Sequence, residues 1–223
     1  MTRRPSSLLA LPADFAARLF GHAETIVLPR NQALFRAGDP GDGCYRVIDG
    51  LLKVTAEAPS QRERILAIHG PGALVGELSL IDGAPRSATV TAIREARLSF
   101  VPRATFEAFA EANPEIYRHI SALLARHLRN NNDALVATSF LSVKGRAARA
   151  LLSLADAFGE DVGSGRILIH QKVSQADLAA MAGIARENLS RLLQEWMRNK
   201  LIKRLASYYC LENKAALERE ADS

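Results

Sequence analysis

The sequence predicts an α+β chain in three successive parts: an N-terminal β-roll, one long helix, and a C-terminal pair of helices followed by a small hairpin. Three observations predict it. Glycine and proline punctuate the N-terminal half at short intervals, with β-branched runs between them. From residue 104 to residue 141 there is no glycine and a single proline, Pro114. From Ser174 onward two amphipathic stretches flank Gly183 and give way to two short apolar runs.

Composition bounds the problem. The chain has 223 residues, 48% hydrophobic and 24% charged, enough for ordinary packed cores in one large or two modest domains. No apolar run approaches the roughly 20 residues of a membrane-spanning helix. Met1-Thr2-Arg3-Arg4 is basic, but the apolar stretch Leu8 to Leu11 ends at Pro12 and Asp14. No secretory signal is expected, and hence a cytoplasmic protein without a membrane partner. Two cysteines far apart, Cys44 and Cys210, cannot build a four-cysteine iron–sulfur or zinc site. The net charge of +5 permits a nucleic-acid partner without requiring one.

A short helix is expected over Ala13–Phe20. Then come Gly38-Asp39-Pro40-Gly41-Asp42-Gly43, Asp49-Gly50, Gly70-Pro71-Gly72, Gly76 and Asp82-Gly83. Strands are expected between them, over 45–48, 52–55 and 88–93, and Asp39-Pro40-Gly41 reads as a turn. Many short strands with such punctuation give a small antiparallel barrel or roll, like a double-stranded jelly roll. The long helix is expected to start at Pro114 with Asn113 as its N-cap. Leu124, Leu128, Asn131, Leu135 and Thr138 follow at heptad spacing, which fits packing on the same domain and a two-stranded coil between two copies equally well. Asn131 inside such a seam would fix register. Ser142 should cap a helix over Val143–Phe158, which makes Phe140-Leu141-Ser142 a hinge. A turn at Gly163-Ser164-Gly165 and a strand over 166–173 complete the linkage. The domain boundaries expected are 1–112, 113–141 and 142–223.

Ser174 is a good N-cap, and Asp177 in the first turn complements the helix dipole. Leu178 and Met181 supply its buried stripe, Gly183 the turn, and a second helix is expected over 186–199. Projected at about 3.6 residues per turn, Leu189, Leu192, Leu193 and Trp196 share one side of it, and Arg186, Glu187, Ser190, Arg191 and Gln194 the other. Helix, glycine turn and helix is the arrangement whose second helix enters the DNA major groove. Arginine donates twice to guanine, and glutamate accepts from cytosine. Arg198, Lys200, Lys203 and Arg204 extend the positive charge toward phosphates. The segments 201–205 and Tyr208–Leu211 read as a wing hairpin. A solvated amphipathic helix has the same charge pattern, but it explains neither the turn glycine nor the hairpin.

Residues 76–90 read G-E-L-S-L-I-D-G-A-P-R-S-A-T-V. Gly76 lets backbone approach a ligand closely, Glu77 is an acceptor, and Arg86-Ser87 offers a guanidinium and a hydroxyl for a phosphate. A 3′,5′-cyclic nucleotide needs this set: its phosphate carries one negative charge, and its ribose 2′-OH requires an acceptor. By spacing alone, an Arg86–Glu77 ion pair bracing a turn is the better reading.

Over residues 15–212 the chain resembles the catabolite activator/fumarate-nitrate regulator (CRP/FNR) family of bacterial transcription factors. The resemblance rests on L-F-R-A-G-D-P-G-D (34–42), the G-E-L-S-L…P-R-S-A cassette (76–88), the long helix and G-I-A-R-E-N-L-S-R (183–191). It implies a cyclic-nucleotide-binding β-roll, a dimerisation helix and a winged helix-turn-helix. It implies that Gly76, Glu77, Leu78, Arg86 and Ser87 bind the cyclic phosphate and ribose of cyclic AMP. The family's adenine-facing threonine-serine pair falls at Asn131 and Asn132, a departure that leaves cyclic GMP or another effector open. It implies that Arg186, Glu187 and Arg191 read double-stranded DNA at TGTGA-like half-sites of a palindrome, bound by a homodimer with RNA polymerase as a further partner; Ser190 on the same polar face and Lys203 on the wing are expected to meet that DNA as well. Ala185 stands where the family usually has a serine or threonine cap. The cysteine-rich segment of the oxygen-sensing branch is missing, and His22 and His69 provide no paired haem ligands. Two other readings are a regulator of the same fold answering to another ligand or none, and a cyclic-nucleotide-binding interaction module. No nucleophile–base–acid set appears, so no enzyme, metal or cofactor is expected.

Overall fold

The computed structural model describes residues 11–57 and 63–222. The basic start of the chain and residues 8–10 lie outside them. The chain divides into two compact units, Met1–Asn130 and Asn131–Ser223.

The first unit opens with α1 (Ala13–Phe20), the helix expected there, which buries Phe15, Ala16, Leu19 and Phe20. A six-stranded antiparallel sheet follows: β1 (Glu24–Leu28), β2 (Ala33–Phe35), β3 (Gly43–Glu57), β4 (Glu63–His69), β5 (Leu74–Val75) and β6 (Thr89–Pro102). The path is β1-β6-β3-β4, with β2 on β6 and β5 on β3. Its spine is the pairing of β3 with β6, from Gly43↔Pro102 to Thr55↔Thr89. The expected strands over 45–48 and 52–55 are therefore one strand. Asp49-Gly50 is not a turn between them but a bulge within β3, where the register shifts. Gly50 adopts φ +106°, and a Cβ there would overlap Ala96. A bulge at a left-handed glycine bends a long strand without ending it, as a roll requires.

The turn expected at Asp39-Pro40-Gly41 lies earlier. Asp39 N donates to Arg36 O, Arg36 N donates to Asp39 Oδ2, and Gly38 supplies the positive φ. The aspartate carboxylate closes the turn from its last position, so the proline is left outside it.

Two apolar clusters hold this unit. One lies on the sheet, with Val47, Leu52, Ala92 and Leu98 fully buried. The other joins α1 to α3 (Arg103–Ala112) and the start of α4 (Ile116–Phe140) through Phe15, Phe106, Ile116, Ile120 and Leu123. Asn113 does not cap α4. Its carboxamide is buried, donates to Phe109 O and accepts from Arg18, so it finishes α3 instead. A buried amide goes where both its donor and acceptor needs are met. Pro114 and Glu115 form tight turns, accepting from Tyr117 N and Arg118 N, before α4 begins. Further along α4, Leu128, Leu135, Val136 and Phe140 are exposed.

In the second unit Ser142 Oγ accepts from Gly145 N and starts α5 (Val143–Phe158), as expected. Small residues line its buried side, Gly145, Ala147, Ala148 and Ala150 among them. The strand expected over 166–173 is shorter. It is β8 (Ile167–Ile169), paired with β7 (Gly159–Asp161) across a turn of left-handed Gly163, Ser164 and Gly165. The pairing extends one residue further, His170 N donating to Phe158 O, before the chain runs on to the cap of the next helix. Then come α6 (Gln175–Ala182), α7 (Arg186–Arg198), β9 (Ile202–Leu205), β10 (Tyr208–Leu211) and α8 (Lys214–Ala221). The small sheet runs β7-β8-β10-β9. Lys144 on α5 reaches Glu195 on α7 at 3.0 Å and Glu220 on α8 at 2.9 Å, and its pKa is raised by those two hydrogen bonds.

Candidate functional site

The cassette residues meet at one place in the first unit. β5 ends at Val75, Gly76 turns with φ +83°, and α2 (Glu77–Asp82) starts. A side chain at Gly76 would overlap Arg86 Nη1, so the guanidinium lies directly against this turn. Arg86 is almost wholly buried, and its two terminal nitrogens are held by the protein: Nη1 donates to Gly76 O at 2.8 Å, Nη2 to Gly43 O at 2.9 Å and to Asp42 Oδ1 at 2.6 Å. Its planar group lies over Phe35, 4.4 Å from the ring centroid, with Tyr45 at 5.9 Å. Such a face is favourable for a cation with little water around it. Arg86 Nε is buried without a hydrogen-bond partner.

Glu77 is also buried. The direct Arg86–Glu77 pair favoured by spacing is not what holds either group. The carboxylate of Asp42 serves Arg86, and Glu77 Oε1 lies 3.3 Å from His127 Nδ1 on α4. His127 stacks on the fully buried His69, with ring centroids 6.0 Å apart. Burial pushes the His69 pKa down to about 4; Glu77 opposes this and His127 adds to it. Cys44 is pushed up to about 12, by burial first and Glu77 second. Such a thiol is inert as a nucleophile at neutral pH. Of the other predicted residues, Leu78 and Ser87 are exposed beside the turn. Asn131 and Asn132 belong to the second unit and are exposed on α4. Sequence reasoning missed Asp42, His127 and the bracing Arg103, which donates to Ser79 O and, at 3.2 Å, to Leu80 O. Only the position of Asp42, among glycines before a strand, carried a signal.

A buried guanidinium whose Nε–H is unspent, and which holds the carbonyl of Gly76 next to the buried Glu77, can take a ligand that brings a single negative charge and a hydroxyl. The charge satisfies the cation, and the hydroxyl donates to the carboxylate.

The second unit presents a different chemistry. Ser174 Oγ accepts from Asp177 N at 3.0 Å, Gly183 turns with φ +63°, and α7 follows. Leu178 is buried together with Ala179 and Ala182, while Met181 is only half-buried. Two alanines complete the stripe because short side chains let α6 approach its neighbours closely. On α7, Leu189, Leu193 and Trp196 are buried and Leu192 half-buried. Arg186, Glu187, Arg191 and Gln194 are exposed, and Ser190 is half-buried. No side chain caps α7 at Ala185; Glu187 in the first turn complements the dipole. The hairpin of β9 and β10 pairs Tyr208 with Leu205 and Leu211 with Ile202, and it exposes Lys203 and Arg204. Lys172 lies 5.4 Å from the Tyr208 ring centroid.

Among the described residues no helix is long and apolar enough to cross a membrane, and no group of three or more histidine, cysteine or acidic side chains could hold a metal.

Residues 25–113 match the model of the cyclic nucleotide-binding domain, and residues 145–220 that of the Crp-like helix-turn-helix domain. The chain is 32% identical over 210 residues to the CRP-like cAMP-activated global transcriptional regulator of Mycobacterium tuberculosis, covering 94% of this chain and 93% of that protein. A CRP/FNR-family transcriptional regulator of Thermus thermophilus superposes with a TM-score of 0.71 at 25% identity, over 90% of this chain and 99% of that one. The c-di-GMP responsive global regulator CLP of Xanthomonas campestris superposes with a TM-score of 0.72 at 25% identity, over the same shares. With a nucleotide-binding roll, a helix-turn-helix and relatives that span both, the chain belongs to the CRP/FNR family of transcription regulators.

Proposed function

We propose that the protein is a dimeric regulator whose affinity for a palindromic, TGTGA-like operator is set by a cyclic nucleotide in the β-roll, with cyclic AMP the first candidate. The observation that carries the effector is Arg86: a buried guanidinium whose Nε lacks a protein acceptor, and which holds the carbonyl of Gly76 next to the buried Glu77. The cyclic phosphate takes the guanidinium and the Ser87 hydroxyl. Gly76 and the backbone of Leu78 line its approach, and Glu77 accepts the 2′-OH. A relative named as cAMP-activated supports this choice.

Two copies are needed for a palindrome. Leu128, Leu135, Val136 and Phe140, exposed along α4, supply an apolar strip for the second copy. The two recognition helices would then sit about 34 Å apart. The domains proposed are the roll (1–112), the dimerisation helix (113–141) and the winged helix-turn-helix (142–223), hinged at 140–142. The effector acts by binding better to the arrangement that fits DNA, and it shifts the equilibrium only by that difference. RNA polymerase is the expected further partner on DNA.

A second reading, a regulator of this fold answering to another nucleotide, is favoured by Asn131 and Asn132. They stand where cyclic-AMP-responsive members resemble one another, and a similar structure is named for c-di-GMP. Calorimetry with cyclic AMP, cyclic GMP and c-di-GMP, sedimentation, and gel shifts on TGTGA-containing duplex decide between the readings. A monomer indifferent to that duplex at low salt overturns the proposal.

On DNA, Glu187→Ala is expected to relax discrimination at one base pair of each half-site by about 1–3 kcal/mol. Lys203→Ala should weaken all sequences alike and flatten the salt dependence by about one counterion. Site selection with each variant checks this; a Glu187→Ala profile identical to wild type would show that Glu187 reads no base.

A further inference from the structure

The partner of Arg86 is unusual in its exposure. The guanidinium side chain is 1% exposed, yet the carboxylate that meets it, on Asp42, is 61% exposed. The backbone at Asp42 is fixed: its carbonyl accepts from Arg103 N at 2.9 Å, and the next carbonyl, of Gly43, accepts from Arg86 itself. The side chain is therefore the part free to move, by rotation about its own bonds and into water. A buried cation cannot be left without a counter-ion at low cost, whereas an exposed carboxylate can return to solvent at little cost.

We propose that Asp42 is an internal stand-in for the effector's phosphate: its carboxylate neutralises Arg86 while the seat is empty and swings out when a singly charged phosphodiester takes its place. This deepens the reading of the roll as a cyclic-nucleotide site and rests on it. The exchange is charge for charge, one negative group for another, so the buried cation is never bare. No covalent bond changes, and Arg86 keeps its bonds to Gly76 O and Gly43 O throughout.

Two properties follow. Asp42 competes with the ligand, so it sets the affinity. It also remains close to the seat after leaving, so it repels a second negative charge there and favours cyclic phosphodiesters over open 5′-monophosphates, which approach two charges at neutral pH. Asp42 is thus a specificity-determining residue, although it makes no bond to the bound nucleotide.

The test is calorimetry on the full chain with cyclic AMP, cyclic GMP and 5′-AMP, for wild type, Asp42→Asn and Asp42→Ser. Both variants should bind the cyclic nucleotide more tightly, on the order of tenfold, and their preference over 5′-AMP should shrink. Melting should show the complementary sign: the empty variants melt below wild type, because Arg86 has lost its counter-ion, and the added nucleotide raises their Tm by more than it raises wild type. If wild type binds neither cyclic nucleotide, the reading of the roll falls and the inference falls with it. If wild type binds and both variants bind equally or more weakly, the reading of the roll stands. Asp42 then only orients Arg86, and the inference is overturned.

Discussion

Arg86→Ala is expected to abolish cyclic-nucleotide binding and, with it, any effect of the nucleotide on DNA affinity. The same substitution should destabilise the first unit, because Arg86 does two jobs. Its Nη groups satisfy the carbonyls of Gly76 and Gly43, which fix the turn before α2 and the start of β3. Removing those donors leaves buried acceptors unpaired, at a cost of about 2–4 kcal/mol in all. The other job falls to the unspent Nε, the donor that the protein itself leaves for a ligand. Arg86→Lys separates the two. Lysine keeps the charge, but as a point donor it cannot span Gly76 O, Gly43 O and a phosphate together. It should recover part of the stability and little of the binding. Denaturation and calorimetry on the same preparations check both halves. Wild-type nucleotide affinity in a folded Arg86→Ala protein would place the phosphate elsewhere.

The parts of this fold that were legible in the sequence are those written locally. Helix α5 and helix α6 start where their caps put them, because Ser142 and Ser174 accept from amides three residues on. The wing hairpin is equally local: Tyr208–Leu211 pairs back on the strand just before it. Asp49-Gly50 misled, since a glycine with positive φ serves a turn or a bulge alike. Only the partner strand decides which, where Asp49 meets Arg97. Asn113 misled for the same reason: its partners Arg18 and Phe109 lie on other helices, one of them 95 residues away. The seat shows the limit most clearly. The motif marks Gly76, Glu77 and Arg86, but the group each one touches, Asp42 for Arg86 and His127 for Glu77, comes from a distant element that no spacing rule connects.

That hidden cluster also governs how the protein responds to acid. His69 is fully buried against His127, and its pKa is pushed down to about 4 from an ordinary 6.5. In the unfolded chain His69 takes up a proton as pH falls through 6.5, while the folded chain refuses it until about 4. Between those values the unfolded state binds more protons, so stability falls as pH drops. The contribution is fully present above about 6.5 and gone below about 4. A difference of this size is worth about 3 kcal/mol. His69→Phe keeps an aromatic ring to stack on His127 and removes the titration. Its stability relative to wild type should therefore improve by about 3 kcal/mol between pH 7 and pH 4, whatever the offset at neutral pH. Urea denaturation at several pH values measures it; parallel curves for the two proteins would mean that His69 is protonated as readily folded as unfolded. Glu77, the carboxylate whose charge acts on His69, is also the one proposed to hold the ribose. The loss of stability is therefore expected to be accompanied by loss of effector binding in the same window.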